Sequence, residues 1–180
     1  DSYTIGQNVP PEERWPIQLA DMLEAEGLSM EAPEIIAQTG WTTGNLKQAI
    51  ANQDPQGPYD LVTLLIGVNN QYQGRSLEEF RSELKELLVL SLAFAGGAKE
   101  HLIVVTIPDY GITPFAANSD KEKIASDLAQ FNQIVIEEAA LIEAPLVDIR
   151  ELWLQAANDA SLIADDGLHP SGSMYTLWAQ

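Results

Sequence analysis

The sequence predicts a three-layer α/β/α domain with a central parallel sheet, and two observations support that prediction. Residues 61–66 and 102–107 are continuous apolar runs, partly β-branched, and each is followed by a glycine or a proline. Strands that are apolar on both faces are typical of parallel sheets covered by helices. Helical patterns alternate with these runs along the chain, which favours right-handed crossovers between parallel strands.

The first half of the chain supplies a helix, a weak strand and a second helix. An amphipathic stripe predicts a helix over residues 16–26, and residues 34–37 form a weaker candidate strand. Thr42 or Thr43 is suitably placed to cap a helix that continues through Ile50. The strong strand at 61–66 follows this helix.

The second half repeats the alternation. Apolar residues recur at helical spacing from Leu77 to Phe94, and two glycines follow that helix. After the strand at 102–107, another stripe runs from 124 to 139, with Asp120 as its N-cap. Residues 146–149 form a second weak strand, and a last helix is expected to begin near Ser171.

Composition and charge narrow the possible functions. The 180 residues fit a single domain spanning 1–180. Nine basic and 27 acidic side chains give a formal charge of −18, which disfavours a nucleic-acid partner. The chain has no cysteine, so thiol nucleophiles, disulfides and thiolate metal sites are excluded. No apolar run reaches the roughly 18 residues of a membrane helix.

One turn near the end of the chain carries the clearest chemical signal. Asp166-Gly167-Leu168-His169-Pro170 places a carboxylate three residues before one of only two histidines. Histidine is the usual general base near neutral pH, and a nearby carboxylate orients its ring. A surface Asp and His in a turn are also common, so a nucleophile and an oxyanion site are needed to support the interpretation.

The position of a residue relative to the predicted strands indicates whether it can belong to a ligand site. Ligands bind beyond the carboxyl ends of the strands, so chemistry is expected in the loops 38–44, 67–74 and 108–115. His101 precedes its strand and is therefore expected to be structural. Ser2 has loop character, as though a strand had just ended.

Two of these loops could provide oxyanion donors. In Gly67-Val68-Asn69-Asn70 a glycine followed by an amide could direct a carboxamide N–H at a developing oxyanion, although the same residues favour a β-turn. Gly40 could present its backbone N–H without a side chain in the way. The segment around Gly40 could equally be the cap of the following helix.

These segments resemble the four motif blocks of the GDSL, or SGNH, hydrolases. Asp1-Ser2-Tyr3-Thr4 is similar to the Gly-Asp-Ser-Tyr/Leu block without its glycine, and Gly40 matches the glycine of the second block. Gly67-Val68-Asn69-Asn70 resembles Gly-x-Asn-Asp, and Asp166 to Pro170 resembles the final Asp-x-x-His block. The four blocks occur in the family's order and span nearly the whole chain.

The resemblance implies a role for each matching residue. Ser2 would be the nucleophile, His169 the general base and Asp166 its orienting carboxylate. The backbone N–H groups of Ser2 and Gly40 and the Asn69 carboxamide would form the oxyanion hole. This agrees with the chemistry of serine nucleophiles, which need an adjacent base held by a third group.

The chain departs from the family pattern in three respects. Asn70 stands where many members have Asp, from which we expect a changed hydrogen bond behind the site and retained activity. The first block lacks its glycine and the strand that precedes it, and the last helix, expected to begin near Ser171, stops early at Gln180. In the family the missing strand lies between those expected here at 34–37 and 61–66, so the natural polypeptide is expected to be longer, and trimmed here at both ends.

The resemblance favours a serine esterase, or related acyl hydrolase, that acts on a small-molecule ester without a metal or cofactor. Carbohydrate deacetylation and cleavage of a lysophospholipid or a thioester are alternative activities that the sequence leaves open. It also leaves open a catalytically silent binding module and a flavodoxin-like nucleotide or FMN binder. Aromatic residues on or near the active edge are candidates for lining an acyl or sugar pocket: Trp41, Tyr72 and Tyr110.

Overall fold

The two strong apolar runs form neighbouring parallel strands, as predicted. The computed structural model describes residues 1–180. Strand β1 spans Val62–Leu64, β2 spans Leu102–Val105 and β3 spans Leu146–Val147, in the order β1-β2-β3. Both pairs are parallel, with Val62 opposite Leu102 and Val104 opposite Leu146. The predicted parallel α/β class is confirmed, although each strand is shorter than its apolar run.

Eight α-helices accompany the sheet. In chain order they are α1 Ser2–Ile5, α2 Trp15–Ala25, α3 Thr43–Gln53, α4 Val68–Tyr72, α5 Leu77–Phe94, α6 Lys121–Leu141, α7 Arg150–Leu154 and α8 Gly172–Ala179. The predictions for α2, α3, α5, α6 and α8 are confirmed. None of the eight is long and apolar enough to cross a lipid bilayer.

The helix starts follow the capping chemistry that the sequence indicates. The side chain of Thr42 accepts a hydrogen bond from the Asn45 N–H, and the Asn45 side chain accepts one from the Thr42 N–H. The carboxylate of Asp120 accepts the Lys123 N–H at 2.9 Å. Ser171 caps α8 through the N–H of Met174. Each cap satisfies a backbone donor that the first turn of a helix leaves unpaired.

The chain divides into two compact units. The first unit comprises residues 1–40, 109–124 and 150–180, and the second comprises 41–108 and 125–149. The whole sheet lies in the second unit, where α5 packs on β1 and α3 packs on α5. In the first unit α2 packs on α8. A single domain over residues 1–180 stays a prediction.

The weak strand expected at residues 34–37 is absent, and that prediction is wrong. The segment carries no regular secondary structure, and the sheet ends at β1. A strand is defined by ladder hydrogen bonds to a neighbour, and no strand pairs with residues 34–37. The weak candidate at 146–149 does form β3, over two of its residues, because β2 lies beside it.

A buried asparagine completes the hydrogen bonding where β2 ends. The Asn132 side chain of α6 accepts the Ile107 N–H at 2.7 Å and donates to the Ile107 carbonyl at 2.9 Å. These two bonds replace the ladder bonds that a neighbouring strand would otherwise provide. Beside them, the Thr106 hydroxyl donates to Asp148 and accepts the Ile149 N–H. His101 is exposed and lies just before β2, at the amino end of the strand as expected.

Candidate active site

The Asp166–His169 turn belongs to the first unit and is held by its own backbone. The Ala164 N–H donates to the His169 carbonyl at 2.8 Å, and the Gly167 N–H donates to the Ala164 carbonyl at 2.9 Å. Ile163 and Pro170 form an antiparallel bridge that closes the loop. Gly167 has a φ of +69°, a conformation that side chains disfavour. The glycine thus lets the chain turn tightly enough to bring Asp166 back to His169.

The Asp166 carboxylate collects four donors. Its Oδ1 accepts the backbone N–H groups of Leu168 at 2.9 Å and His169 at 3.0 Å. Its Oδ2 lies 2.6 Å from His169 Nδ1 and also accepts a hydrogen bond from the Asn8 carboxamide. A proton on Nδ1 satisfies the carboxylate and leaves Nε2 as the acceptor of the neutral ring. The arrangement therefore orients the imidazole as a general base.

The same contacts set the charge of Asp166. Partial burial raises the pKa of this carboxyl, but the hydrogen bonds from the His169 ring and from the His169 and Leu168 N–H groups outweigh burial, and the pKa lies below its ordinary value. The resulting stabilisation is complete above the unfolded carboxyl pKa of about 3.9 and is lost as the pH falls through the lower folded value. Asp166 is thus ionised at neutral pH.

Ser2 lies at the start of α1, so the expectation of a loop there is wrong. The carboxylate of Asp1 accepts the Tyr3 N–H at 3.1 Å and caps this helix. Gly6 ends it in the left-handed conformation. As the first helical residue, Ser2 has a backbone N–H with no acceptor inside the helix. The residue is 5% exposed.

The neighbouring residue Tyr3 makes direct contact with the histidine. The two rings are 5.5 Å apart at 59°, and Tyr3 is buried. Burial is the main cause of the raised pKa of Tyr3, with smaller contributions from Tyr175 and nearby carboxylates, so the phenol stays neutral. The hydrogen bonds of His169 run to Asp166 and Ala164, and none reaches the Ser2 hydroxyl. The structure therefore pairs Asp166 with His169 and does not pair His169 with Ser2.

The turn after α1 contributes two residues that sequence reasoning missed. Asn8, at a φ of +63°, donates to Asp166, and Gln7 accepts a hydrogen bond from the Thr39 hydroxyl. The turn therefore connects the Asp166 carboxylate with the segment that carries Gly40. Asparagine is among the residues that tolerate a left-handed conformation, so Asn8 beyond a glycine-capped helix was a signal for a turn. The sequence contained no signal for its partner.

Gly40 ends the first long segment of the first unit. Its φ is +82°, and a Cβ built on it would meet nothing within 4 Å. A side chain would therefore be disfavoured by the backbone conformation and not by a clash.

The third motif block belongs to the second unit and is helical. Gly67, at a φ of +132°, precedes α4, so the alternative of a β-turn is wrong. A Cβ on Gly67 would come within 2.6 Å of Ile107 and 2.8 Å of Phe80, so only glycine fits there. The Asn69 Nδ2 donates to the Trp41 carbonyl at 3.0 Å. A carboxamide has two N–H groups, so the second is available to another acceptor.

The three aromatic candidates differ in exposure. Tyr72 ends α4 and is 59% exposed, Trp41 is half-buried, and Tyr110 is buried with its ring 6.4 Å from Phe115. An open cavity of about 630 Å³ lies elsewhere in the first unit, against α2 and α8, and includes none of the three. Their role in binding substrate stays a prediction.

Comparison with known proteins identifies the family of the chain. The family model described as the GDSL-like lipase/acylhydrolase family matches residues 1–177. No curated protein is significantly similar in sequence.

Solved structures of similar fold include the psychrotrophic esterase EstA from Pseudoalteromonas sp., with 19% identity over 99% of this chain and 88% of that one, and a TM-score of 0.69. A lipolytic protein of the G-D-S-L family from Veillonella parvula DSM 2008 has 18% identity, covers 99% and 90%, and has a TM-score of 0.71. The acetylxylan esterase Axe2 from Geobacillus stearothermophilus has 21% identity, covers 92% and 77%, and has a TM-score of 0.67.

These likenesses confirm the fold class predicted from the sequence, the α/β/α sandwich of the SGNH hydrolases. The family match covers nearly the whole chain and includes all four motif blocks. The chain belongs to the GDSL-like lipase/acylhydrolase family of ester-cleaving hydrolases.

Proposed function

We propose that the chain is a serine esterase that cleaves a carboxylic ester through an acyl-serine intermediate. One observation carries the proposal: an ionised carboxylate holds the His169 ring in the first unit, which also contains Ser2. The ring presents Nε2 as a proton acceptor, and it lies next to the ring of Tyr3, the residue that follows Ser2. An oriented base is what a serine hydroxyl needs to become a nucleophile.

The proposed reaction has two halves. In the first, the Ser2 Oγ bonds to the acyl carbon while its proton passes to His169 Nε2. The tetrahedral oxyanion then collapses, the bond to the alcohol oxygen breaks, and the imidazolium returns the proton to that oxygen. In the second half, His169 takes a proton from water while the water oxygen bonds to the acyl carbon. The bond between the acyl carbon and Ser2 Oγ then breaks, the imidazolium returns the proton to Oγ, and the acid leaves.

The proposed oxyanion donors come from three segments. The Ser2 N–H has no acceptor within α1, and the Gly40 N–H belongs to a residue without a side chain. The Asn69 carboxamide, in the second unit, is assigned on the family resemblance. One of its N–H groups is directed at Trp41, which leaves the other for the oxyanion. Removal of one such oxyanion donor typically lowers kcat by about 10²–10³-fold.

A fluorophosphonate probe tests the nucleophile directly. Attack by the Ser2 Oγ forms an oxygen–phosphorus bond and displaces fluoride, so we expect one adduct per chain. Trypsin releases residues 1–14, in which Ser2 is the only serine, and mass spectrometry would find the adduct there. Heat-denatured protein is the control and should stay unlabelled. An adduct confined to another peptide would contradict Ser2 as the nucleophile. No adduct on the folded protein would contradict the proposal and favour a silent binding module.

Carbohydrate deacetylation is the second candidate, because three of the similar structures, of two different proteins, carry the name acetyl xylan esterase. If the substrate is an acetylated sugar, acetylated xylo-oligosaccharides should release acetate with a kcat/KM at least about tenfold above that for nitrophenyl acetate, since remote binding energy is used in the transition state. A series of nitrophenyl esters from acetate to decanoate provides the comparison. A preference for long acyl chains would instead favour lipid or thioester substrates.

A further inference from the structure

Three side chains next to Asn69 are joined in a hydrogen-bonded chain: Asn70, Thr43 and Glu83. Asn70 is the residue at which this protein departs from the family motif. Asn70 and Thr43 are both fully buried. The Asn70 Oδ1 accepts the Thr43 N–H at 3.0 Å, and the Asn70 Nδ2 donates to the Thr43 Oγ1 at 2.6 Å. The Thr43 hydroxyl in turn donates to Glu83 Oε2 at 2.5 Å. All three residues belong to the second unit.

Only one assignment of donors and acceptors satisfies this hydrogen-bonded chain. A hydroxyl has one proton, and here Thr43 gives it to the Glu83 carboxylate. The hydroxyl can therefore only accept from its other neighbour, and the amide of Asn70 supplies the donor. An ionised aspartate at position 70 would leave two carboxylates competing for one proton, with a buried oxygen unpaired. Such a group is costly to bury.

The chain is connected to the proposed oxyanion donor at two points. Asn69 donates to the carbonyl of Trp41, and Asn70 binds both polar groups of Thr43, two residues further on. Two successive residues of α4, Asn69 and Asn70, therefore both hold segment 41–43 by hydrogen bonds. Glu83 anchors that segment to α5, and Gly44 leaves room for its carboxylate, since a Cβ at 44 would come within 3.0 Å of Glu83 Oε1.

We propose that Asn70 and Glu83 are a matched pair of positioning residues which, through Thr43, fix segment 41–43 and thereby the direction of the Asn69 carboxamide. The proposal rests on the proposed function for its effect on the rate. The amide at 70 and the carboxylate at 83 are complementary because one hydroxyl proton joins them. Neither residue needs to touch the substrate.

The proposal can be tested by exchanging the donor and acceptor roles of positions 70 and 83, since a second substitution should restore the activity that the first one lowers. Asn70→Asp should lower kcat on nitrophenyl acetate by at least about tenfold, up to the 10²–10³ of a lost oxyanion donor, with KM within about twofold. In Asn70→Asp/Glu83→Gln, the new amide at position 83 can donate to Thr43, and Thr43 can donate to the new carboxylate at position 70, so the reversed chain is again complete. We expect kcat of the double variant to return to within about threefold of wild type.

The matched control is Asn70→Asp/Glu86→Gln, which alters an exposed glutamate of the same helix. It should show no rescue. If the double variant at 70 and 83 is as impaired as Asn70→Asp, or if Asn70→Asp has wild-type kcat, the proposal is wrong. If Asn70→Asp does not fold, folding of the double variant supports the pairing, and its failure to fold contradicts it.

A second readout separates this proposal from the catalytic one. The Asn69 side-chain NH₂ signals in a ¹⁵N–¹H spectrum, assigned through their loss in Asn69→Asp, should shift in Asn70→Asp and return in the double variant. That result depends on the hydrogen bonds alone and holds even if fluorophosphonate does not label Ser2. Unchanged Asn69 signals in a labelled, active enzyme would overturn only the positioning role.

Discussion

Ser2→Ala is expected to lower kcat/KM for nitrophenyl acetate by about 10⁴-fold or more, because removing the nucleophile of an acyl-transfer triad leaves only binding and oxyanion stabilisation. The change deletes one oxygen atom, and no hydrogen bond of the Ser2 side chain holds the fold together. Folding should therefore be unaffected. Initial rates and a thermal melt of the purified variant provide the measurement.

Ser126→Ala is the matched control for this experiment. Ser126 is exposed on α6, where alanine is well tolerated. Its kcat/KM should stay within about twofold of wild type. Turnover by Ser2→Ala at the wild-type rate would exclude Ser2 as the nucleophile, and with it the proposed mechanism through an acylated Ser2.

The second large effect concerns His169. His169→Ala removes the acceptor of the serine proton and should lower kcat by about 10⁴-fold or more. His101→Ala is the control, since the only other histidine is exposed and lies before β2. That variant should keep wild-type kcat. An equal loss in both variants, or no loss in His169→Ala, would contradict the assignment of the base.

The pH profile examines the same base in the unmodified protein. A general base must be able to accept the serine proton, so kcat/KM should fall towards acid pH. Asp166 should not cause this fall, because its pKa lies below its ordinary value and it stays ionised. A kcat/KM that does not fall towards acid pH would count against His169 as the base.

The sequence was sufficient wherever a local pattern determined the structure. The apolar runs at 61–66 and 102–107 became β1 and β2 because continuous burial on both faces leaves few alternatives to a covered parallel strand. Helices α3, α6 and α8 begin after Thr42, Asp120 and Ser171 because each cap acts within three residues. The motif blocks were recognisable because each is short and contiguous.

Local patterns misjudged the segments whose state depends on a distant partner. Residues 34–37 resemble a strand in sequence, but no strand of the sheet pairs with them. Ser2 and Asn69 were expected in loops, yet both lie in short helices. Asp1 caps the helix that contains Ser2, and Gly67 precedes the helix that contains Asn69. Gly67 is needed there because Ile107 and Phe80 close over it, a contact that spacing along the chain does not reveal.

By itself, the sequence determined the fold class, the family and the residue types of the proposed triad, since these follow from periodicity and contiguous motifs. Only the tertiary structure showed that Asn8 binds Asp166 across 158 positions, and that Asn70 and Glu83 meet at Thr43 across 27 and 40 positions. Such polar contacts leave no periodic trace, because a hydrogen bond requires only that two groups meet in space. The protons that those groups carry then decide which residue types can stand there.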